Sequence, residues 1–364
     1  MYSDKLTFKD QMTPKERKIA LSKGEAVDRK PIGMMFGSAA HRLTNLGRRD
    51  ENATPENAAE VQITLYKEFG VDGVGCKYGL MGMGEVFGAK MSNPEFDIPA
   101  MLEAPLKDLA DVDNLAIENL TIDRDPICIH RKQTLDIIRE KIGNEVGVSM
   151  MFPGPFTCAC SLYGPENALK AIRRKPEQLH HLLEFTLQGL KQMCEGFLKD
   201  GVPIVIADPM SSGTILNHKH YAEYSQAYAK RLVEHCKSIS PMPVSCHICG
   251  DTTAILPLMA DCGFGGISLD NVVELKTAKE LVGDRIALAG NVSPVDEIHL
   301  GTPDSIRAAV RKCFRDCYDS PKGFSINTGC DCPIMTPLEN AYAYIDEAKR
   351  CSAYPINPEN FMEK

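Results

Sequence analysis

A histidine and a small set of cysteines carry most of the chemical information in this chain. The run Cys246-His247-Ile248-Cys249-Gly250 is answered far downstream by Thr328-Gly329-Cys330-Asp331-Cys332. A His and a Cys two residues apart can face one point where a strand runs into a loop. A thiolate arriving from a distant strand end then completes three protein ligands. A His/Cys/Cys set of this kind leaves one coordination position open, which describes a catalytic zinc site rather than a closed structural one. Soft thiolates select zinc over magnesium or calcium. The competing reading is that, in a chain with 14 Cys, some of these thiols are ordinary small core residues.

Composition narrows the setting. At 364 residues and 43% hydrophobic content, the chain can bury a large core, as one α/β barrel or as two smaller domains. The net charge of −8 disfavours nucleic acid or an anionic membrane as the main partner. No apolar run approaches the roughly 20 residues that span a bilayer. Met1 to Lys30 is polar and charged, without the apolar centre of a secretory signal. Cysteines scattered along the chain suit a reducing cytoplasm better than a disulfide scaffold. The expectation is a soluble cytoplasmic protein of enzyme size.

The elements that must position these residues repeat regularly. Apolar, β-branched runs fall at Pro31–Phe36, Val71–Cys76, Val146–Phe152, Val202–Ala207, Met242–Cys246, Gly265–Leu269, Ile286–Ala289 and Gly323–Asn327. Helical patterns lie between them, at Pro165 to Arg173, Pro176 to Leu198, Lys219 to Cys236 and Pro303 to Cys317, and another opens at Thr54-Pro55-Glu56-Asn57. Continuous apolar strands alternating with helices imply a parallel sheet covered on both faces. Eight such units predict a (β/α)₈ TIM barrel, one domain spanning residues 1–364 with the first thirty as a helical preface. The stretch from Lys77 to Glu145, after the second strand, reads as a lid-like insertion. Its Tyr78-Gly79-Leu80-Met81-Gly82-Met83-Gly84 run is expected to be too glycine-rich for a helix. Polar, Gly and Pro residues follow every strand, from Gly37-Ser38 to Thr328-Gly329-Cys330, as an active-site face requires. His247 and Cys249 follow the fifth strand and the distant cysteines the eighth. Asp270 follows the sixth strand, beside them. Asp208 follows the fourth, where it can orient His247, contact substrate or cap a loop. Strand alternation turns Cys246 into the barrel wall. Tyr221, Tyr224 and Tyr228, at helical spacing, read as packing, and His180, His181, His218 and His220 have no expected role.

With these residues in place, the chain resembles the uroporphyrinogen decarboxylase superfamily and, within it, the branch of cobalamin-dependent methyltransferases. The resemblance rests on His247-Ile248-Cys249-Gly250, on Gly283-Asp284-Arg285-Ile286 running into Gly290-Asn291-Val292-Ser293-Pro294, and on Thr328-Gly329-Cys330 with Thr336-Pro337-Leu338-Glu339-Asn340. Gly154-Pro155-Phe156-Thr157 and Ala207-Asp208-Pro209 add to it. It implies zinc held by His247, Cys249 and Cys330, with Cys332 a neighbour, and an acidic residue at Asp270 able to fill the fourth place when substrate is absent. It implies cobalt supplied as methylcobalamin on a separate corrinoid protein. The decarboxylase branch carries an Arg-Gln-Ala-Gly-Arg pattern after its first strand. Here that segment reads Phe36-Gly37-Ser38-Ala39-Ala40-His41-Arg42, which disfavours the alternative of a metal-free decarboxylase.

The implied reaction is methyl transfer between a corrinoid and a heteroatom, which zinc assists as a Lewis acid toward a thiol or a methyl ether. Methionines at the strand ends, Met35 and Met151 above all, suit an aromatic methyl ether. A sulfonated thiol such as coenzyme M requires a cation, for which Arg42 and Lys77 are the candidates. A non-catalytic zinc-binding barrel is the remaining alternative.

Overall fold

The computed structural model describes residues 4–37 and 40–362. Ser38 and Ala39, part of the segment read as following the first strand, lie outside them. Nine strands occur among the described residues: β1 (Gly73–Lys77), β2 (Lys90–Met91), β3 (Met101–Glu103), β4 (Gly147–Pro153), β5 (Ile204–Ala207), β6 (Ser245–Ile248), β7 (Gly266–Leu269), β8 (Ala287–Val292) and β9 (Phe324–Thr328). Seven of them form one sheet in the order β1-β4-β5-β6-β7-β8-β9, parallel throughout. Helices cover its outer face, with Phe152 against Phe197 and Phe324 against Phe314 at ring-centroid distances of 5.7 Å each. The barrel architecture expected from the sequence is present.

Its closure differs from that expectation. Residues 31–36 run extended beside β9 but form no strand ladder. They are attached by Gly33 N–H donating to Ile326 O at 2.8 Å, Met35 N–H to Thr328 Oγ1 at 3.0 Å and Ser325 Oγ to Pro31 O at 2.9 Å. Pro31 has no N–H to donate. Gly33 lies so close to the Asn327 side chain that an added Cβ would stand 2.8 Å from it. The seam toward β1 is closed by side chains. Asp72 accepts the Ile32 amide at 2.8 Å below, and Lys77 binds Asp331 at 2.9 Å above.

The helical preface is present as Pro14–Ser22, opened by a capping box between Thr13 and Glu16. A buried ion network fastens it. Arg17, Arg29 and Lys349 have fully buried side chains and bind Asp10, Asp28 and Asp72. The insertion after β1 holds the β2-β3 ribbon and, against the sequence reading, a short helix at Gly82–Val86. Glycine is what lets that helix pack: a Cβ on Gly84 would stand 2.3 Å from Ser161 O, and one on Gly82 would stand 2.7 Å from the Tyr78 ring. No described helix is long and apolar enough to cross a membrane.

Candidate metal centre

Strand β6 ends at Ile248, one residue short of Cys249. His247 therefore sits on the strand, and the chain turns after it through Gly250 at φ +81°, a conformation glycine adopts without steric cost. On β6, Cys246 faces outward at 2% exposure, as alternation requires, and His247 faces the barrel interior. Thr328 closes β9, and Cys330 follows two residues later. The two strand ends meet at the mouth. His247 Nε2 lies 3.3 Å from Cys249 Sγ, and Cys249 Sγ lies 3.4 Å from Cys330 Sγ. The ligand atoms of all three residues fall within 4.8 Å of one another.

This spacing fits zinc. With Zn–S bonds of about 2.3 Å, two thiolates of a tetrahedral site stand about 3.8 Å apart, slightly farther than the two sulfurs here. The thiols share their protons unequally. A hydrogen bond from Cys249, helped by His247 and the Asp331 amide and opposed by burial, favours the thiolate at Cys330, while the same contact and burial push Cys249 up. One sulfur is thus already inclined to the anionic form a metal needs. His247 Nδ1 faces Ser268 Oγ at 3.3 Å, which leaves Nε2 for the metal.

Asp270 stands beside this cluster. Its Oδ2 accepts the Gly250 amide at 2.8 Å and its Oδ1 the Val272 amide at 3.2 Å. Asn291 Nδ2 donates to the Asp270 carbonyl at 2.8 Å and to Val273 O at 2.6 Å, so the loop that carries Asp270 is braced from β8. Asp208 is occupied elsewhere. It is 3% exposed and accepts from Thr157 N at 3.0 Å, Thr157 Oγ1 at 2.5 Å, Ser211 Oγ at 2.7 Å and Ser225 Oγ at 3.3 Å. Burial raises its pKa, and those donors act against the rise. A Cβ on Gly154 would overlap its carboxyl group at 2.2 Å. Asp208 thus ties the loops after β4 and β5 together, and the His247 ring takes Ser268 as partner instead.

The residues read as substrate contacts divide. Met151 is part-exposed on the inner face of β4, in register with Lys77 and Val205. Met35 is part-exposed in the seam, and its carbonyl accepts the Cys332 amide at 2.8 Å. Met150 and Met83 are fully buried core. Both expected cations are engaged by the protein: Lys77 by Asp331, and Arg42 by the carbonyls of Met335 at 3.1 Å and Thr336 at 3.0 Å. Cys332 is 1% exposed and lies outside the three-ligand cluster. Beside Asp331, a cleft of about 410 Å³ separates Pro94, Phe96 and Ile98 of the insertion from Pro333 and Ile334. Tyr221, Tyr224 and Tyr228 are buried, and His180 stacks on Tyr224 outside the barrel. The sequence reading gave no role to Ser268 or to Asn291. Asn291 stands in the Gly290-Asn291-Val292 run that carries the resemblance, whereas Ser268 has no local signal, because strand register alone sets it beside His247.

Residues 13–351 match the uroporphyrinogen decarboxylase (URO-D) family model. The chain belongs to the uroporphyrinogen decarboxylase family. Within this family, the resemblance to the corrinoid methyltransferase branch is borne out by two methanogen proteins. The methylcobamide:CoM methyltransferase MtaA of Methanosarcina barkeri is 26% identical over 341 residues, 92% of this chain and 97% of that one. The methylcobamide:CoM methyltransferase MtbA of Methanosarcina mazei is 28% identical over 346 residues, 93% and 98% of the two chains. The uroporphyrinogen decarboxylase of Parasynechococcus marenigrum is 26% identical over 349 residues, 90% and 94%. A solved methyltransferase structure from Methanosarcina mazei superposes with a TM-score of 0.80 at 26% identity, covering 93% of this chain and 98% of that one.

Proposed function

We propose that this chain is a zinc-dependent cytoplasmic methyltransferase that moves a methyl group between a small substrate and the cobalt of a separate corrinoid protein. The observation that carries the reading is the convergence of His247 Nε2, Cys249 Sγ and Cys330 Sγ within 4.8 Å at the barrel mouth. Zinc bound there would act as a Lewis acid on a thiol or ether oxygen. His247, Cys249 and Cys330 hold it, Ser268 orients the imidazole, and Asp270 holds the Cys249 loop in place. Asp208 acts at a distance, by positioning the loops after β4 and β5. Met151 and Met35 offer apolar surface to the substrate. The names of the methanogen relatives favour a thiol substrate. The engagement of Lys77 and Arg42 by the protein favours an uncharged one, such as an aryl methyl ether.

The corrinoid protein is expected to dock over the mouth. Val272, Met335, Phe96 and Ile98, in loops beyond the strand C-termini, are 58%, 63%, 52% and 59% exposed, an apolar rim suited to a partner. The deciding experiment is zinc content of the purified chain beside Cys330→Ala and Cys249→Ser, with methyl transfer assayed against a methylated or reduced corrinoid. About one zinc per wild-type chain, little in either variant and no transfer by the variants is the expected result. A wild-type chain that takes up no zinc would return the metal-free decarboxylase to consideration.

A further inference from the structure

The loop that brings Cys330 to the metal centre is held from across the barrel seam. Strands β1 and β9 are the two edges of the parallel sheet, and residues 31–36 between them form no ladder. At the start of the loop, Gly329 N–H donates to Val292 O of β8 at 2.8 Å. Beyond Cys330 the loop is pinned from the seam and from β1 at three levels. Lys77 Nζ binds Asp331 Oδ2 at 2.9 Å, and the Cys332 N–H donates to Met35 O at 2.8 Å. Farther on, Arg42 Nη1 donates to the carbonyls of Met335 at 3.1 Å and Thr336 at 3.0 Å. Both cations that the sequence offered to a substrate are therefore spent on this loop.

Lys77 is the pin nearest the candidate ligand, and its own backbone is fixed. It is the last residue of β1, in register with Met151 of β4. Its carbonyl accepts Arg131 Nε at 3.0 Å, and Arg131 Nη2 is held in turn by Asn52 Oδ1 at 2.6 Å. The side chain passes Gly37, where an added Cβ would stand 3.6 Å from Nζ, and ends on the residue next to Cys330. The Asp331 N–H is directed at the Cys330 sulfur. A shift of Asp331 therefore displaces both the chain neighbour of that sulfur and its hydrogen-bond donor. Cys249 is placed differently, by the Gly250 turn and its amide bond to Asp270. With side chains 42% and 21% exposed, the Lys77–Asp331 pair adds little to the stability of the whole fold. Its weight falls on position, because metal affinity drops about 10- to 100-fold when an outer partner is lost.

We propose that Lys77 is a positioning residue of the metal centre: through its bond to Asp331 it holds the Cys330 sulfur where His247 and Cys249 can share a metal with it. Lys77 thus acts toward the metal rather than toward the substrate. The role rests on the metal-centre reading above.

The test measures zinc affinity of the full chain by chelator competition, and the absorption spectrum of the cobalt(II)-loaded chain, which reports thiolate ligation and geometry. The variants are Lys77→Met, Lys77→Arg, Asp331→Asn and the double Lys77→Met/Asp331→Asn. Lys279→Met, which breaks a pair with Asp319 on the helical shell, is the control. Expected is zinc affinity about tenfold weaker in Lys77→Met and in Asp331→Asn, with no further loss in the double variant. Lys77→Arg, which keeps the charge, recovers affinity, and Lys279→Met changes nothing. The thiolate-to-cobalt absorption falls in the weakened variants, while their melting temperatures stay within about 2 °C of wild type. Wild-type affinity and spectrum in Lys77→Met overturn the proposal, as do additive losses in the double variant. A loss in Lys77→Met that is matched by a fall in melting temperature also overturns it, since the contact would then only support the fold. A wild-type chain that takes up neither metal sinks the metal-centre reading and this role with it, whereas wild-type uptake with indifferent variants sinks this role alone.

Discussion

Cys249 and Cys330 come from strand ends on different sides of the barrel, yet their sulfurs stand 3.4 Å apart. What holds them there is mostly backbone. Gly250 turns the chain after Cys249, and its amide is fixed by Asp270. Asp270→Ala removes that acceptor and the one for Val272. The expected outcome is a chain that still takes about one zinc at saturating metal but holds it roughly 10- to 100-fold more weakly, the usual effect of losing an outer partner. Chelator competition measures it. A variant unable to bind zinc at all would make Asp270 a ligand, and unchanged affinity would remove it from the site. The three proposed ligands were legible in the sequence because His and Cys at strand ends are chemically distinctive. Ser268 was not, since one serine among many acquires its position opposite His247 only through the pairing of β6 with β7.

At the scale of elements, the preface is held by charge as much as by apolar contact. Arg17 is fully buried and binds Asp28 at 2.8 Å. Burial alone would raise the Asp28 pKa, but the Arg17 hydrogen bond and charge and the amides of Gln11 and Met12 hold it at about 2, below its ordinary 3.8. A carboxylate whose folded pKa is depressed contributes stability above its unfolded pKa and loses that contribution as pH falls through the folded value. The contribution at neutral pH is about 2 kcal/mol. Asp28→Asn should therefore be less stable than wild type in urea at pH 6, and the gap should narrow steadily between pH 4 and pH 2. A gap independent of pH would assign the loss to packing instead. The helices at Pro165–Arg174 and Pro303–Cys317 were legible from apolar spacing. The helix at Gly82–Val86 was not, because its glycines answer to neighbours, Ser161 and Tyr78, rather than to local propensity.

At the scale of the molecule, the fold presents an apolar rim around a polar centre. Met335 and Val272 project from loops after β9 and β7 at 63% and 58% exposure. If the corrinoid protein docks there, Met335→Glu combined with Val272→Glu should raise the KM for that protein about tenfold, the scale of losing one or two central contacts. The KM for the small substrate should stay unchanged. An unaltered KM for the corrinoid protein would move the docking face elsewhere. The barrel itself is closed along its β1 side by ion pairs and single hydrogen bonds, an arrangement invisible in the alternation of apolar runs.

By itself the sequence determined the kind of fold, the order of its strands and helices, and the residues able to bind a soft metal, because hydrophobic period and side-chain chemistry are local properties. Tertiary structure alone decided how the first extended segment meets the sheet, which carboxylate braces the Cys249 loop and which only ties loops together, and that the two expected cations are engaged by the protein. Those outcomes depend on register and on approach between distant segments, and a one-residue shift in pairing would turn every one of them to the other face.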